Sequence, residues 1–339
     1  MTKDAIKVAV LGASGYTGVE LIKILLRHPH AEIVAATSRQ DEHIADLHPS
    51  LLGRLDLRCE PFDADKLKAK GVQLAFGCLP HGNSMESIPP LLERGIRVVD
   101  LSADYRLRDV NVYQEWYKES HTDTVNLAQA VYGLPEVYGD YINGAKLVAN
   151  PGCYPQTAIL GLAPLVAKGL IELTGIIVDA KSGVSGAGRT PKLTTHYPEC
   201  NESVSAYSVG THRHTPEIEQ ALGDIAGKPV SVIFTPHLMP MDRGILSTIY
   251  ATPTRLVTEA ELGELYREYF AGKPFVRVRK TPPATKDTVG TNFLDVCVKV
   301  VRGKVLVIAA EDNLIRGASG VAVQNFNRMF GFDERTGLM

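Results

Sequence analysis

The sequence predicts an α/β protein in two domains: a parallel-sheet domain through residue 150, then an α+β domain with a mixed, partly antiparallel sheet. Three observations predict it. Over the first 150 residues, short apolar runs alternate with segments of helical apolar spacing, the grammar of right-handed βαβ units. Beyond about residue 175 strand-like runs dominate, and two of them are joined by Arg302-Gly303, a hairpin signal. The chain has 339 residues, above the size at which one core usually stops growing.

Each element follows from its local pattern. Ile6–Leu11, Glu32–Thr37, Val72–Leu79, Ile96–Leu101 and Lys146–Ala149 are short apolar runs and read as strands. Between them, Val19–Arg27 and Ser84–Arg94 carry helical spacing. Thr157–Ala167 reads as the helix after the corner at Asn150–Cys153, where the first domain ends. Gly175–Lys181, Val230–Thr235, Ile245–Ala251, Asn292–Val301 and Lys304–Ala310 are the strands of the second part. Its helices are Pro216–Ile225, with Thr215 as N-cap and Pro216 at the first position, and Glu259–Phe270. Gly317–Phe330 is a closing helix.

Composition narrows the function. Lys+Arg total 36 against Asp+Glu 38, a net charge of −2, so no basic excess invites nucleic acid. The charged segment Met1 to Lys7 runs into a strand, and no apolar stretch approaches 18 residues; the reading is no signal peptide and no membrane span. Cys59, Cys78, Cys153, Cys200 and Cys297 are scattered, odd in number and without a Cys-x-x-Cys pair. That pattern points to free thiols in a reducing cytoplasm.

Gly12-Ala13-Ser14-Gly15-Tyr16-Thr17-Gly18 follows the first strand and opens the first helix. Small residues there admit a pyrophosphate, and the helix N-terminus supplies N–H donors and a positive field. The Gly-x-x-Gly-x-x-Gly spacing in strand–loop–helix context marks a Rossmann-type dinucleotide site. The second strand ends Ala36-Thr37-Ser38-Arg39, without the acid that holds a ribose 2′-hydroxyl. Ser38 and Arg39 suit a 2′-phosphate, so NADP(H) is the expected cofactor, with Asp41 and Glu42 close by.

Cys153 lies in Asn150-Pro151-Gly152-Cys153-Tyr154-Pro155, between a strand and a helix. A helix N-terminus favours thiolate over thiol; the bland alternative is a small buried hydrophobe. His212-Arg213-His214 offers acid/base groups, and residues two apart in extended chain face the same way. A metal reading of His-x-His finds no third or fourth ligand with convincing spacing, so no metal is expected. Ser182–Arg189 holds three glycines after a strand, suited either to close approach of a ligand or to a mobile surface loop. Arg189, and Arg106 in Asp104-Tyr105-Arg106-Leu107, are candidate anion binders. His81, in Leu79-Pro80-His81-Gly82, ends a strand beside the expected cofactor cleft.

Together these segments, with Arg243-Gly244-Ile245-Leu246 and Asp312-Asn313-Leu314, closely resemble the N-acetyl-γ-glutamyl-phosphate reductases, relatives of aspartate-semialdehyde dehydrogenases. The resemblance spans nearly the whole chain. It implies an NADP-binding Rossmann domain over 1–150, rejoined by a C-terminal helix within 314–339. Residues 151–313 would form the catalytic, substrate and oligomerisation domain of a homodimer or homotetramer. It implies NADPH-dependent reduction of N-acetyl-L-glutamyl 5-phosphate to the 5-semialdehyde with phosphate release, in arginine biosynthesis. Cys153 carries over as nucleophile and His212 as acid/base, with Arg106, Arg189 and His214 toward substrate and phosphate. Expected cofactor contacts are Gly12, Ser14, Gly15, Tyr16, Thr17, Gly18, Ser38, Arg39, Pro80, His81, Ser182, Gly183, Gly186 and Asn313. The family usually has Thr after Tyr-Pro; here Gln156 precedes Thr157. The rival readings are the same chemistry on aspartyl or carrier-linked aminoadipyl phosphate, and a non-catalytic NADP-sensing module.

Overall fold

A computed structural model describes residues 5–339; Met1–Asp4, at the head of the expected first domain, lie outside the described residues. The chain divides into two compact units, one running to Pro151 and taking in Ala318–Met339, the other Gly152–Gly317.

The first unit is built on eight strands: β1 (Ile6–Leu11), β2 (Ala31–Thr37), β3 (Glu42–His43), β4 (Arg58–Glu60), β5 (Leu74–Gly77), β6 (Arg97–Asp100), β7 (Val131–Tyr132) and β8 (Leu147–Ala149). Their order is β3-β4-β2-β1-β5-β6-β8-β7, and all pairs are parallel except β3–β4 at the edge. Val8, Ala9, Val10 and Leu11 are all buried, as a parallel strand covered on both faces requires. The sheet grows outward in both directions from β1 and β5, and the chain leaves β1 at this switch point, where ligands collect in such folds. Helices α1 (Tyr16–Leu25), α2 (Ser84–Glu93), α3 (Val110–Tyr117) and α4 (Pro135–Ile142) connect the strands.

The C-terminal helix Gly320–Phe330 packs on α1, α4 and β6. Asn325 Nδ2 donates to Gly133 O at 2.8 Å, and Arg97 Nη1 donates to Met329 O at 2.7 Å. A side chain at position 133 would meet Asn325 Nδ2 at 2.5 Å, so Gly133 is what lets the helix seat. This helix was expected from Gly317. The chain instead makes a π-helical turn over Ile315–Ser319 first.

The second unit holds β9 (Ile176–Gly183), β10 (Ser205–Ala206), β11 (Val232–Met239), β12 (Ile245–Ala251), β13 (Val276–Val278), β14 (Leu294–Val301) and β15 (Lys304–Glu311). The order is β10-β11-β9-β12-β15-β14-β13; β9–β11 and β13–β14 are parallel and the rest antiparallel. Arg302 and Gly303, with φ of 48° and 77°, form the two-residue β14–β15 turn, both in the left-handed region that matches strand twist. Helices α5 (Cys153–Ala167), α6 (His214–Ala226) and α7 (Glu259–Tyr269) complete the unit. α5 is buried from Tyr154 to Val166, as its all-round apolar sequence demands. It lies against β12 and β15, where Ile245, Ser247, Ile249 and Ala251 are buried. Residues of opposite strand phase, Ile177, Ile233 and Tyr250, are exposed.

Helix α6 starts earlier than expected. Its N-cap is Arg213, so Thr215 lies inside the first turn rather than capping it. The His212 side chain supplies the missing acceptor, taking the His214 N–H on Nδ1 at 3.1 Å. Among the described residues, no helix is long and apolar enough to cross a membrane.

Candidate active site

The glycine loop sits at the C-terminal end of β1. Its entry is pinned by β2: Gly12 N–H donates to Thr37 Oγ1 at 3.2 Å and Ala13 N–H to Thr37 O at 3.0 Å. Gly12 has φ +74°, and a Cβ there would lie 2.5 Å from the Cys78 carbonyl oxygen; no other residue fits. Gly18 would meet Ala13 backbone at 2.9 Å, so the helix runs close under the loop. Gly15 is the N-cap of α1 and offers no side-chain cap, leaving the first-turn N–H groups of Tyr16 and Thr17 toward the loop. Ser14 is half-buried within it. This is a fit for a dinucleotide pyrophosphate: room made by missing side chains, and donors at a helix start.

Ser38 and Arg39 follow β2, where a ribose is read. The Ser38 hydroxyl folds the turn on itself, accepting the Gln40 N–H at 3.1 Å and donating to Gln40 O at 2.5 Å. Arg39 is exposed. Across the switch point, Pro80-His81-Gly82 is held by buried Asp104, which accepts N–H groups of Gly82 at 2.9 Å and Ser84 at 3.1 Å. His81 Nδ1 accepts the Ala103 N–H at 3.1 Å.

Arg106, expected toward substrate and phosphate, also ties the main chain together. It is buried, with Nε donating to Asn150 O at 2.7 Å and Nη2 to Leu101 O at 2.9 Å. Those two donors bind the end of β6 to the stretch that leads into Cys153.

In the second unit Cys153 is the first residue of the 15-residue helix α5, and its N-cap Gly152 supplies no side-chain cap. The corner is braced from α6: buried Glu217 accepts the Gly152 N–H on Oε1 at 2.7 Å. Gly317 closes it from the other side, since a side chain there would meet Cys153 Cβ at 2.8 Å and Glu311 Oε1 at 3.0 Å. Glu217 lies in the motif beginning at His212, but a glutamate one turn into a helix reads as surface in sequence.

His212 and His214 do come together, with ring centroids 4.7 Å apart, though through a helical turn at Arg213 rather than an extended chain. His212 stacks edge-on with Tyr154, Tyr207 and Phe234 at 5.8, 5.5 and 5.2 Å. Burial, helped by the Arg213 charge, lowers its pKa to about 4, so the ring is neutral at ordinary pH. Because a backbone N–H occupies Nδ1, the ring proton sits on Nε2. Tyr207 donates to the Tyr154 hydroxyl at 3.0 Å, and that hydroxyl donates to His237 O at 3.3 Å. Burial pushes both phenols up, and the neighbouring Cys153 adds to the rise for each. Tyr154 and Tyr207 thus belong to the nucleophile's surroundings; Tyr154 adjoins Cys153 in the chain, whereas nothing in the sequence announced Tyr207.

The loop after β9 is anchored. Ser182, Gly183 and Ser185 are buried; a Cβ on Gly183 would lie 2.3 Å from Asp242 O. Ser185 Oγ donates to Asp242 O at 2.6 Å. Asn313, expected at the cofactor, holds this loop: Nδ2 donates to Ser185 Oγ at 3.0 Å and Oδ1 accepts the Gly244 N–H at 2.8 Å. Gly186 is exposed, beside Ser182 Oγ. Arg189 is exposed past Gly188, whose φ is +83°.

Comparison with known proteins gives the family. A model of the semialdehyde dehydrogenase NAD-binding domain matches residues 7–145, and one of the semialdehyde dehydrogenase dimerisation domain matches 153–313. An N-acetyl-gamma-glutamyl-phosphate reductase of Desulforudis audaxviator is 52% identical over 98% of both chains; one of Rhodopirellula baltica is 50% identical over 100% of both. The chain belongs to the N-acetyl-gamma-glutamyl-phosphate reductase family. As a member of that family it is an oxidoreductase with a nicotinamide-dinucleotide-binding domain. In fold it is similar to aspartate semialdehyde dehydrogenase II of Vibrio cholerae, with TM-score 0.72 at 16% identity, covering 96% of this chain and 98% of that one. A second similar structure is the Candida albicans aspartate semialdehyde dehydrogenase with NADP, TM-score 0.70 at 16% identity over 96% and 98%. The α/β fold read from the sequence, a Rossmann-type sheet plus a mixed-sheet unit, is borne out in this reductase family.

Proposed function

We propose that the protein reduces N-acetyl-L-glutamyl 5-phosphate to N-acetyl-L-glutamate 5-semialdehyde, releasing phosphate, as a step of arginine biosynthesis. Full-length identity of 52% to a reductase of that name carries the reading, and Cys153 at the start of α5 supplies its chemistry. The Cys153 thiolate attacks the acyl carbon, the carbon–oxygen bond to phosphate breaks, and a thioester remains. NADPH, when bound, supplies a hydride. Reduction leaves a hemithioacetal oxyanion on Cys153; its collapse breaks the C–S bond, frees the aldehyde and returns the thiolate.

His212 enters as a donor. Its Nε2–H is placed by the Nδ1 bond, so it donates a hydrogen bond that stabilises the hemithioacetal oxyanion before it collapses. His214, its ring 4.7 Å from that of His212, would face the substrate. Exposed Arg189 is the arginine proposed for the departing phosphate, with Arg106 holding the corner. The glycine loop (Gly12, Ser14, Gly15, Tyr16, Thr17, Gly18) would cradle the pyrophosphate, and Ser38 with Arg39 would receive the 2′-phosphate that distinguishes NADP. Pro80, His81, Ser182, Gly183 and Gly186 would line the dinucleotide.

The chain is proposed to act as a homo-oligomer. The exposed apolar residues Ile177, Ile233 and Tyr250 on the open sheet phase, within the region matched by a dimerisation-domain model, support this. The reaction is tested in reverse. N-acetylglutamate semialdehyde, NADP and phosphate should give phosphate-dependent reduction of the nicotinamide, and aspartate semialdehyde should not. Equal turnover of aspartate semialdehyde would overturn the substrate, and full activity in Cys153→Ser the mechanism.

A further inference from the structure

The turn after β2 carries two carboxylates, Asp41 and Glu42, beside Ser38 and Arg39, and the structure treats them differently. Glu42 is half-buried, with Oε1 3.3 Å from the Ser38 hydroxyl, whose proton goes to the nearer Gln40 O. Asp41 is exposed but held by Arg58 of β4, whose Nη2 and Nε lie 2.8 and 2.9 Å from Oδ1. Arg58 Nη2 also donates to the Asp41 main-chain oxygen at 3.3 Å. The antiparallel edge pair sets this up: Glu42 faces Cys59 and His43 faces Arg58, so the two segments run side by side back to Asp41. This edge is the one departure from parallel pairing in the first sheet.

β2 ends at Thr37 without an acid, but a carboxylate in the turn that follows, as at Asp41, would still repel a 2′-phosphate. A guanidinium clamped on that carboxylate cancels the repulsion. We propose that Arg58 sets the preference for a 2′-phosphorylated dinucleotide by neutralising Asp41, so that the turn presents Arg39 rather than an acid. The inference rests on the NADP reading above. Arg58 is then a specificity residue that acts through Asp41.

The test is calorimetric titration of the full-length protein with NADP and with NAD, apart from any turnover. Arg58→Ala should weaken NADP about five- to tenfold, the effect of one unmasked charge near a phosphate at partly screened distance, and leave NAD unchanged. Asp41→Asn should not weaken NADP, and Asp41→Asn with Arg58→Ala should restore wild-type affinity. Unchanged NADP affinity in Arg58→Ala, equal loss for both dinucleotides, or a double variant as weak as Arg58→Ala would each overturn the masking role. Equal affinity of the wild type for NAD and NADP would instead remove the cofactor reading itself, and the inference with it.

Discussion

Replacing Glu217 by alanine should damage the nucleophile without touching it. The Glu217 carboxylate is 1% exposed and accepts the buried Gly152 N–H at 2.7 Å, one residue before Cys153. A hydrogen bond to a charged group contributes ~1.5–3 kcal/mol, and alanine leaves the Gly152 N–H without an acceptor inside the fold. The lost γ-methylene adds ~0.8 kcal/mol, less what relaxation recovers. The expected loss is about 3 kcal/mol for Glu217→Ala. For Glu217→Gln, which keeps a neutral acceptor, it is about 1 kcal/mol. Urea unfolding reads the stability, and alkylation of the Cys153 peptide by iodoacetamide, followed by mass spectrometry, reads the corner. Glu217→Ala should lower the alkylation rate and kcat/KM together, with Glu217→Gln between it and wild type. Wild-type stability and wild-type Cys153 alkylation in Glu217→Ala would refute the bracing role.

Other perturbations follow from the same geometry. His212→Gln places an amide N–H near the Nε2 position and should keep kcat within about tenfold, whereas His212→Ala should lose ~10²–10³; equal losses would favour a base role. With its pKa lowered to about 4, His212 adds stability that is present above about 6.5 and lost as pH falls through 4. The kcat/KM profile should therefore show no limb near 6.5 that His212→Gln removes. Burial raises Asp100 to about 6, so its contribution favours the fold below about 3.8 and is lost as pH rises through 6. Between roughly pH 4 and 6, wild-type stability should fall relative to Asp100→Asn by about 1.4 kcal/mol per pH unit in denaturant melts. Gln156 is fully buried and neither of its amide atoms has a hydrogen-bond partner among the described residues. Gln156→Met should raise stability by ~1–2 kcal/mol, seen as a higher Tm.

The fold was legible where periodicity was strong. β1 and β12 stand at their expected bounds and the β14–β15 hairpin within two residues of its own, because apolar alternation and the Arg302-Gly303 turn leave little choice. Short elements escaped: edge strand β3 and its neighbour β4 have two and three residues with mostly polar side chains, too short for any pattern. α3 and α4 were also missed, though Asp109 caps the first and Pro135 opens the second. At the site, residue types that carry chemistry were readable from motif and spacing. What holds them was less so: Arg106 and Asn313 tie loops through main-chain and hydroxyl partners that no spacing in the sequence announces. Tyr207 and Glu217 join the nucleophile only through tertiary contacts.

The claim at the centre is that Cys153 carries the acyl group. Rapid mixing of the protein with N-acetylglutamate semialdehyde and NADP, in the absence of phosphate, isolates that step. A burst of reduced nicotinamide equal to one per active site is expected, with the acyl group recovered on the Cys153 peptide and discharged on adding phosphate. No burst before phosphate is added, or an acyl group recovered elsewhere than Cys153, would contradict it.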